Sequence, residues 1–249
     1  MFYKSFFVKS QNIGLKHIIA EITLVCTGIL LALAINNWND KRILDKEINN
    51  YILEIDKEIE KAIKYQNNTL KRFEKMSNNL VRSIKIIERN DLDSITTLKQ
   101  IVWPILTTWP IRYDYPIIQE FIEKDLINKI PKDSLKIKLK LYERVKNGAD
   151  GMAAFNEKQY LDKVESYVNK NIEYLEIGPQ TIFKNVNVNN HPRIETNFLS
   201  LYNDLEFWNI LILKTETLLI EISRLKSSMN TFKQIELELK KYIKEKKLS

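Results

Sequence analysis

Residues that could carry out chemistry are few in this sequence. Its 249 residues include two His, His17 and His191, and one Cys, Cys26. A single Cys excludes an internal disulfide and a Cys-based zinc site, and two His so far apart in sequence form no metal-ligand cluster. Glycine-rich phosphate loops and the G-x-S-x-G and H-E-x-x-H motifs are absent. We therefore predict no catalytic residue, no metal and no cofactor, and expect the protein not to be an enzyme.

The best single functional candidate is Glu21. It is the only charged residue between Ile18 and Ile35, in the run IIAEITLVCTGILLALAI. An ionisable side chain inside a bilayer is costly to bury and is a functional candidate by default. The alternative is that its carboxylate snorkels to the membrane surface, because on a helix Glu21 lies only about 6 Å from His17.

The apolar run 18–35 predicts a single transmembrane helix. Eighteen residues are just long enough to cross a bilayer, and Lys and Arg residues flank both ends. Trp38 follows at the position of an interfacial anchor, and Gly28 and Ala32 form a small-x-x-x-small pair suited to close helix packing. A buried core helix would show a polar face, which this run lacks. A cleaved signal peptide ending at Ala32-Leu33-Ala34 is the sharper alternative.

The numbers of Lys and Arg residues on the two sides of this helix are equal and do not decide its orientation. Residues 1–17 carry three Lys and residues 36–50 carry three Lys or Arg, but only the first segment has no acidic residue. We expect this basic tail, 1–17, in the cytoplasm and the domain 36–249 on the outer side of the inner (plasma) membrane. The absence of Cys after Cys26 suits an oxidising compartment.

The distribution of Gly and Pro predicts where helices can be long. The chain has 5 Gly and 6 Pro, and neither occurs in 29–103 or 193–249. Apolar residues from Ile48 to Ile87 recur every three or four positions, which indicates one long amphipathic helix. A second stripe consists of Leu201, Leu205, Trp208, Ile212, Leu219, Ile222, Leu225, Met229, Phe232, Ile235, Leu239 and Ile243. We predict that the two helices pack antiparallel within one chain, with an oligomeric coiled coil as the alternative.

Shorter elements are expected between these helices. Helices are predicted over about 91–103, 116–129 and 131–147, with Gly148 and Gly151 ending the last of them, and over 152–175. Residues 182–188 could add a short strand pair at most. The predicted fold class is all-α: one N-terminal transmembrane helix, then an elongated helical bundle with two long amphipathic helices and shorter helices between them.

Two segments of the chain resemble a family of uncharacterised bacterial single-pass membrane proteins. That family opens with Gly-Glu, an apolar helix and Ile-Asn-Asn-Trp-Asn. Glu21, Gly28 and residues 35–39 match this opening, while Ala20 stands where the family has Gly. Residues 203–209, NDLEFWN, are similar to a second family stretch. The resemblance implies that the apolar segment is retained as an anchor, and it implies no activity.

Charge and composition narrow the functional classes. The net charge is +7, but Lys outnumbers Arg 31 to 8 and no Arg-rich aromatic cluster occurs, so we expect no nucleic-acid partner. The Lys-rich end, 240–247, is interpreted as a solvated helix end, with contact to anionic lipid as the alternative. We predict a membrane-anchored interaction or scaffolding protein whose partners are the lipid bilayer and a protein or a second copy of the chain.

The alternative function is a sensor that binds a small ligand among the aromatic residues of the middle region. Those residues are Trp103, Trp109, Tyr113 and Tyr115. A sensor needs an output module, and the 17 residues before the apolar run are too few to form one. We therefore expect the interaction function unless a partner supplies the output.

Overall fold

Helices make up most of the protein. The computed structural model describes residues 15–106, 108–177 and 195–248, of which 86% are helical and none is in a strand. The α-helices are α1 (Leu15–Glu88), α2 (Ile95–Ile101), α3 (Pro116–Glu123), α4 (Asp133–Tyr160), α5 (Ser166–Asn171), α6 (Phe198–Leu201) and α7 (Leu205–Lys246). Short 3-10 helices cover Leu92–Ser94, Trp103–Leu106 and Leu126–Lys129, and a π-helical turn covers Leu161–Glu165. The all-helical prediction is confirmed, whereas His191, the strand pair 182–188 and most of the basic tail lie outside the described residues.

The chain divides into two compact units, Met1–Asn50 and Tyr51–Ser249. In the first unit, every side chain of α1 from Ile18 to Ile35 is exposed. In the described part of the chain this is the one helix long and apolar enough to cross a membrane, and none of its most apolar 18-residue window is buried. The predicted boundary at 35/36 falls inside α1 and is not marked by any break in that helix.

In the second unit, α1 buries the predicted stripe. Its fully buried side chains include Ile52, Ile55, Ile59, Phe73 and Leu80. The helix ends where Asn90 adopts a left-handed conformation (φ 49°), with the amide of Asp91 donating to the carbonyl of Ile86 at 3.1 Å. Asn tolerates that conformation better than most residues, so the local sequence explains why the helix stops here.

Helix α7 runs antiparallel to both α1 and α4. Towards α1, Ser228 bonds Gln66 at 3.4 Å and Lys226 pairs with Glu74 at 2.9 Å. Towards α4, Ser134 donates to Glu238, Lys138 to Gln234 and Asn156 to Glu221, at 2.8, 2.8 and 2.6 Å. As residue numbers rise along α1 or α4, those of their partners on α7 fall. The second unit is therefore organised around α7.

The predicted stripe of α7 is right in its C-terminal half and wrong in its N-terminal half. From Ile222 to Leu239 the predicted residues are buried. Before that point Leu205, Ile212 and Leu219 are exposed, and the buried residues are instead Phe207, Ile210, Leu211, Lys214, Thr215, Leu218 and Glu221. Apolar residues occupy both faces in this half, so their spacing alone does not show which face meets α4.

The prediction that Gly148 and Gly151 end a helix is also wrong, because α4 passes through both. A Cβ at Gly148 would lie 3.3 Å from Nη2 of Arg224, which donates a hydrogen bond to the Gly148 carbonyl oxygen. Gly148 is thus explained by the close approach of an α7 side chain and not by a turn. The predicted helix 152–175 is the continuation of α4 through the π-helical turn into α5.

Two other helix starts depend on carboxylates. Asp204, the N-cap of α7, accepts from the amides of Glu206 and Phe207 at 2.8 and 3.1 Å, so α7 begins at Leu205, after the first residue of the predicted stripe, Leu201. Glu58 on α1 accepts from the amides of Ile117 and Ile118 at the start of α3. Both carboxylates satisfy helix N–H groups that have no partner within their own helix. The predicted helix 116–129 is interrupted by Asp125, which has φ 56°.

Leu218 and Leu219 provide a matched test of this packing, because they are 5% and 51% exposed. Leu218→Asp places an unpaired charge in the core, and we expect it to lower the free energy of unfolding by about 3 kcal/mol or more. Leu219→Asp should change it by about 0.5 kcal/mol or less. Urea unfolding followed by tryptophan fluorescence measures both. Equal losses would mean that the face of Leu219 is also in a contact, as the oligomeric coiled-coil alternative requires.

Candidate functional site

The candidates predicted in the apolar segment all lie exposed on α1. Glu21 faces His17, with 3.6 Å between Oε1 and Nε2. A Cβ added at Gly28 would meet no atom within 4 Å, and Ala32 is exposed. Trp38 is exposed too, and the guanidinium of Arg42 lies 5.7 Å from its ring centroid.

Three of these candidates share one face of the helix. At 100° per residue, Glu21, Gly28 and Ala32 fall within about 40° of one another, whereas Trp38 lies about 100° away from Glu21. Any helix that packs closely on Gly28 and Ala32 would therefore also approach Glu21. Trp38 points elsewhere, which fits a role separate from helix packing.

The second unit contains a polar face that the sequence analysis missed. Lys214, Glu221 and Ser228 follow one another at intervals of seven on α7, and all three are buried. A spacing of seven keeps residues on one side of a helix, so these side chains enter the core between α7 and its neighbours. This seven-residue spacing can be seen in the sequence. The predicted stripe through Leu205, Ile212 and Leu219, however, assigned a different face of α7 to the core and left this one in solvent.

Glu221 is the most buried carboxylate of this face, at 4% exposure. Its Oε1 accepts a hydrogen bond from Nδ2 of Asn156 on α4 at 2.6 Å. Burial raises the pKa of Glu221, and the Asn156 bond and the charge of Arg224 offset this rise only in part. A carboxyl with a raised pKa that lines a pocket is a candidate for ligand binding.

A pocket of about 250 Å³ opens beside Glu221, between α4, α7 and the segment 111–113. Arg144 and Arg224 contribute guanidinium groups to its lining. On one wall the hydroxyls of Tyr113 and Ser228 share a hydrogen bond at 2.5 Å. Charged groups of both signs therefore converge on one pocket, and a few placed polar groups of this kind fix the orientation of a ligand in small-molecule sites.

Glu221 also borders a second, smaller cavity of about 20 Å³. Nε1 of Trp109 and Oδ1 of Asn156, two residues that line it, are buried without a hydrogen-bond partner among the described residues. Lys214 lines the same cavity at 8% exposure, with its ammonium 5.2 Å from the ring centroid of Tyr160. Burial lowers the pKa of Lys214 to about 8.

The four aromatic residues predicted to line a ligand pocket do not line one common pocket. Tyr113 lines the 250 Å³ pocket and Trp109 the 20 Å³ cavity. Trp103 packs edge-on against Trp109, with centroids 5.4 Å apart, and Tyr115 packs against Phe232 in the core. The main charged residues of the site, Glu221, Arg224 and Arg144, were not predicted.

No group of three or more His, Cys, Asp or Glu side chains that could hold a metal ion occurs among residues 15–106, 108–177 and 195–248. No family model, no curated protein and no solved structure matches the chain. The family resemblance noted from residues 21–39 and 203–209 therefore stays a prediction.

Burial of Lys214 should make the free energy of unfolding depend on pH. Its pKa is lowered from 10.5 to about 8, so the folded protein loses this proton before the unfolded chain does. The free energy of unfolding should therefore rise between pH 8 and 10, by about 2–3 kcal/mol. We expect Lys214→Met to abolish this rise, as measured by urea unfolding at each pH.

The exposed Lys233 is the matched control, and Lys233→Met should keep the wild-type rise. The window must end near pH 10, because burial raises the pKa of Tyr113 and of Tyr142 to about 12. Ionisation of these tyrosines in the unfolded chain destabilises the fold above that point. Parallel curves for wild type and Lys214→Met would contradict the buried position of this ammonium.

Proposed function

We propose that the protein is a single-pass, membrane-anchored helical protein that acts by binding a partner and not by catalysis. The observation that carries this proposal is the N-terminal part of α1, whose apolar side chains are exposed throughout an 18-residue window. Transferring so many exposed apolar residues into lipid is strongly favourable, since each buried CH₂ contributes about 0.8 kcal/mol.

The proposed orientation places the tail 1–17 in the cytoplasm and residues 36–249 on the outer side of the inner membrane. The support is the purely basic composition of the tail. The proposal that the segment is retained, and that the protein is bacterial, rests on the resemblance to the single-pass family. Glu21, Gly28 and Ala32 would then form one face of the spanning helix, available for a second copy or another membrane helix.

Leu30 lies in the middle of the apolar run and provides a test of the anchor. Leu30→Arg should release the protein from membranes into the alkaline-carbonate extract, because an Arg at the centre of a spanning helix costs about 3 kcal/mol. Leu237→Arg, at an exposed site on α7, is the matched control and should stay in the membrane pellet. A wild-type protein that starts at Ile35 after processing would contradict retention.

The binding role is supported by an apolar groove of about 600 Å³ beside the π-helical turn. Phe155 of α4 is 56% exposed there, next to Ile210 and Leu213 of α7. An exposed aromatic side chain in an apolar groove is typical of protein interaction sites.

Site-specific photo-crosslinking in native membranes tests this role. A photoreactive residue in place of Phe155 should give a discrete crosslinked protein band, and one in place of the equally exposed Leu237 of α7 should give none. Bands of equal intensity from both positions would indicate non-specific contact and would contradict an interaction site at the groove.

A second candidate function is a sensor domain that binds a small ligand and signals through a partner. The observation that favours it is the 250 Å³ pocket, where Glu221, Arg144 and Arg224 converge. This function shares the anchor with the first and differs in what the second unit binds.

A further inference from the structure

The pocket beside Glu221 contains charges of both signs that are not paired with each other. Glu221 receives a hydrogen bond from the neutral amide of Asn156, and Arg224 donates to the neutral carbonyl of Gly148. Both residues line the same pocket, yet neither forms an ion pair in the part of the chain that the structure describes. The arrangement is unusual for Glu221, which is 4% exposed, because a buried carboxylate is normally compensated by a cation in direct contact. Arg224 is half-buried and Arg144 is exposed, so their guanidinium groups remain accessible to a ligand.

A ligand with a single charge does not fit this pocket. An anion that bound the two guanidinium groups would lie close to the carboxylate of Glu221. A cation at Glu221 would in turn lie close to Arg144 and Arg224. Each of these contacts is repulsive, and solvent screens it little at the buried carboxylate of Glu221, so a molecule carrying both charges satisfies both ends of the pocket.

The remaining wall and the volume limit the size of the ligand. Ile111, Val145 and Ala149 form an apolar wall. The volume of about 250 Å³ lies just below the range of roughly 300–1,000 Å³ that drug-sized ligands occupy. The pocket therefore suits a small molecule with a short aliphatic group.

We propose that this pocket binds a free aliphatic α-amino acid. Its ammonium group bonds Glu221, its carboxylate bonds Arg144 and Arg224, and its side chain packs on Ile111, Val145 and Ala149. The inference rests on the ligand-binding role given above as the second candidate function, and it does not depend on the membrane anchor.

Isothermal titration calorimetry of the full chain in detergent tests the proposal. The probes are L-alanine, L-valine and L-leucine, with two analogues of leucine that each lack one charge, isoamylamine and 4-methylpentanoate. We expect saturable binding of at least one amino acid. Both analogues should bind roughly tenfold more weakly than leucine or worse, because each leaves one charged group of the pocket without its partner.

Three variants locate the site. Glu221→Gln keeps an acceptor for Asn156, and it should weaken amino-acid binding about tenfold without weakening 4-methylpentanoate. Arg144 is exposed, so Arg144→Gln should leave folding intact; it should weaken the amino acid and 4-methylpentanoate alike. Lys163→Gln, on an exposed residue outside this pocket, is the matched control. Circular dichroism of each variant confirms that it is folded.

The outcomes separate this inference from the function on which it rests. Binding of 4-methylpentanoate or isoamylamine as tight as that of leucine would overturn the amino-acid assignment while leaving a ligand-binding pocket. Amino-acid binding that survives both Glu221→Gln and Arg144→Gln would place the ligand elsewhere and overturn the proposal. Absence of binding by every probe would overturn both the proposal and the ligand-binding role.

Discussion

The second unit depends on α7 packing against two helices at once. Ser228 and Lys226 contact Gln66 and Glu74 of α1, while a different set of α7 residues contacts α4. A helix between two partners must bury a wider arc than one that meets a single partner. Polar residues that fall within this arc are enclosed by the fold, and this explains why Lys214, Glu221 and Ser228 lie in the core.

Burying polar groups costs free energy of folding, and their contacts in the structure offset this cost to different degrees. Ser228 lies within bonding distance of Tyr113 and Gln66, and Glu221 is bonded by Asn156. Lys214 retains a cation–π contact with Tyr160. Glu221 and Arg224, however, form hydrogen bonds only to neutral groups within the described chain, and the charge of Arg224 acts on Glu221 without a direct ion pair. Apolar residues of similar size are often more stabilising at such positions, and this is the reason for proposing a ligand beside Glu221.

How much of this could be predicted from sequence depends on how many partners each helix has. The stripe of α1 was predicted well from Ile52 onward, because apolar residues occupy one face and Lys and Glu the others. The first half of α7 was not, because Leu205, Ile212 and Leu219 form an apolar row as regular as the buried one. Only the position of α4 decides between the two rows. The same limit applies to the site, since Arg144 and Asn156 come from α4 and join Glu221 only through tertiary packing.

The glycines of α4 show a related limit. Gly148 and Gly151 were interpreted as breakers because glycine weakens an isolated helix by roughly 1 kcal/mol. In the structure α7 runs alongside α4 and compensates for that weakness, and Arg224 uses the space that the missing Cβ leaves. Packing therefore overrides local propensity at Gly148, whereas a Cβ added at Gly151 would meet no atom within 4 Å, and the structure gives no packing reason for that glycine.

The π-helical turn at Leu161–Glu165 sets the rotation of α5, the helix that continues directly from it. In a regular α-helix Asn156 and Val164 would lie about 80° apart around the axis. A π turn holds one residue more than an α turn and so brings the two side chains closer to the same side. Both are buried. This phase brings Tyr167 to Asp204, to which its hydroxyl donates at 2.6 Å. Gain or loss of one residue here would shift α5 by only about 1.5 Å but would turn it by about 100°. Angular register, more than length, is therefore what this segment must preserve as its sequence changes over evolutionary time.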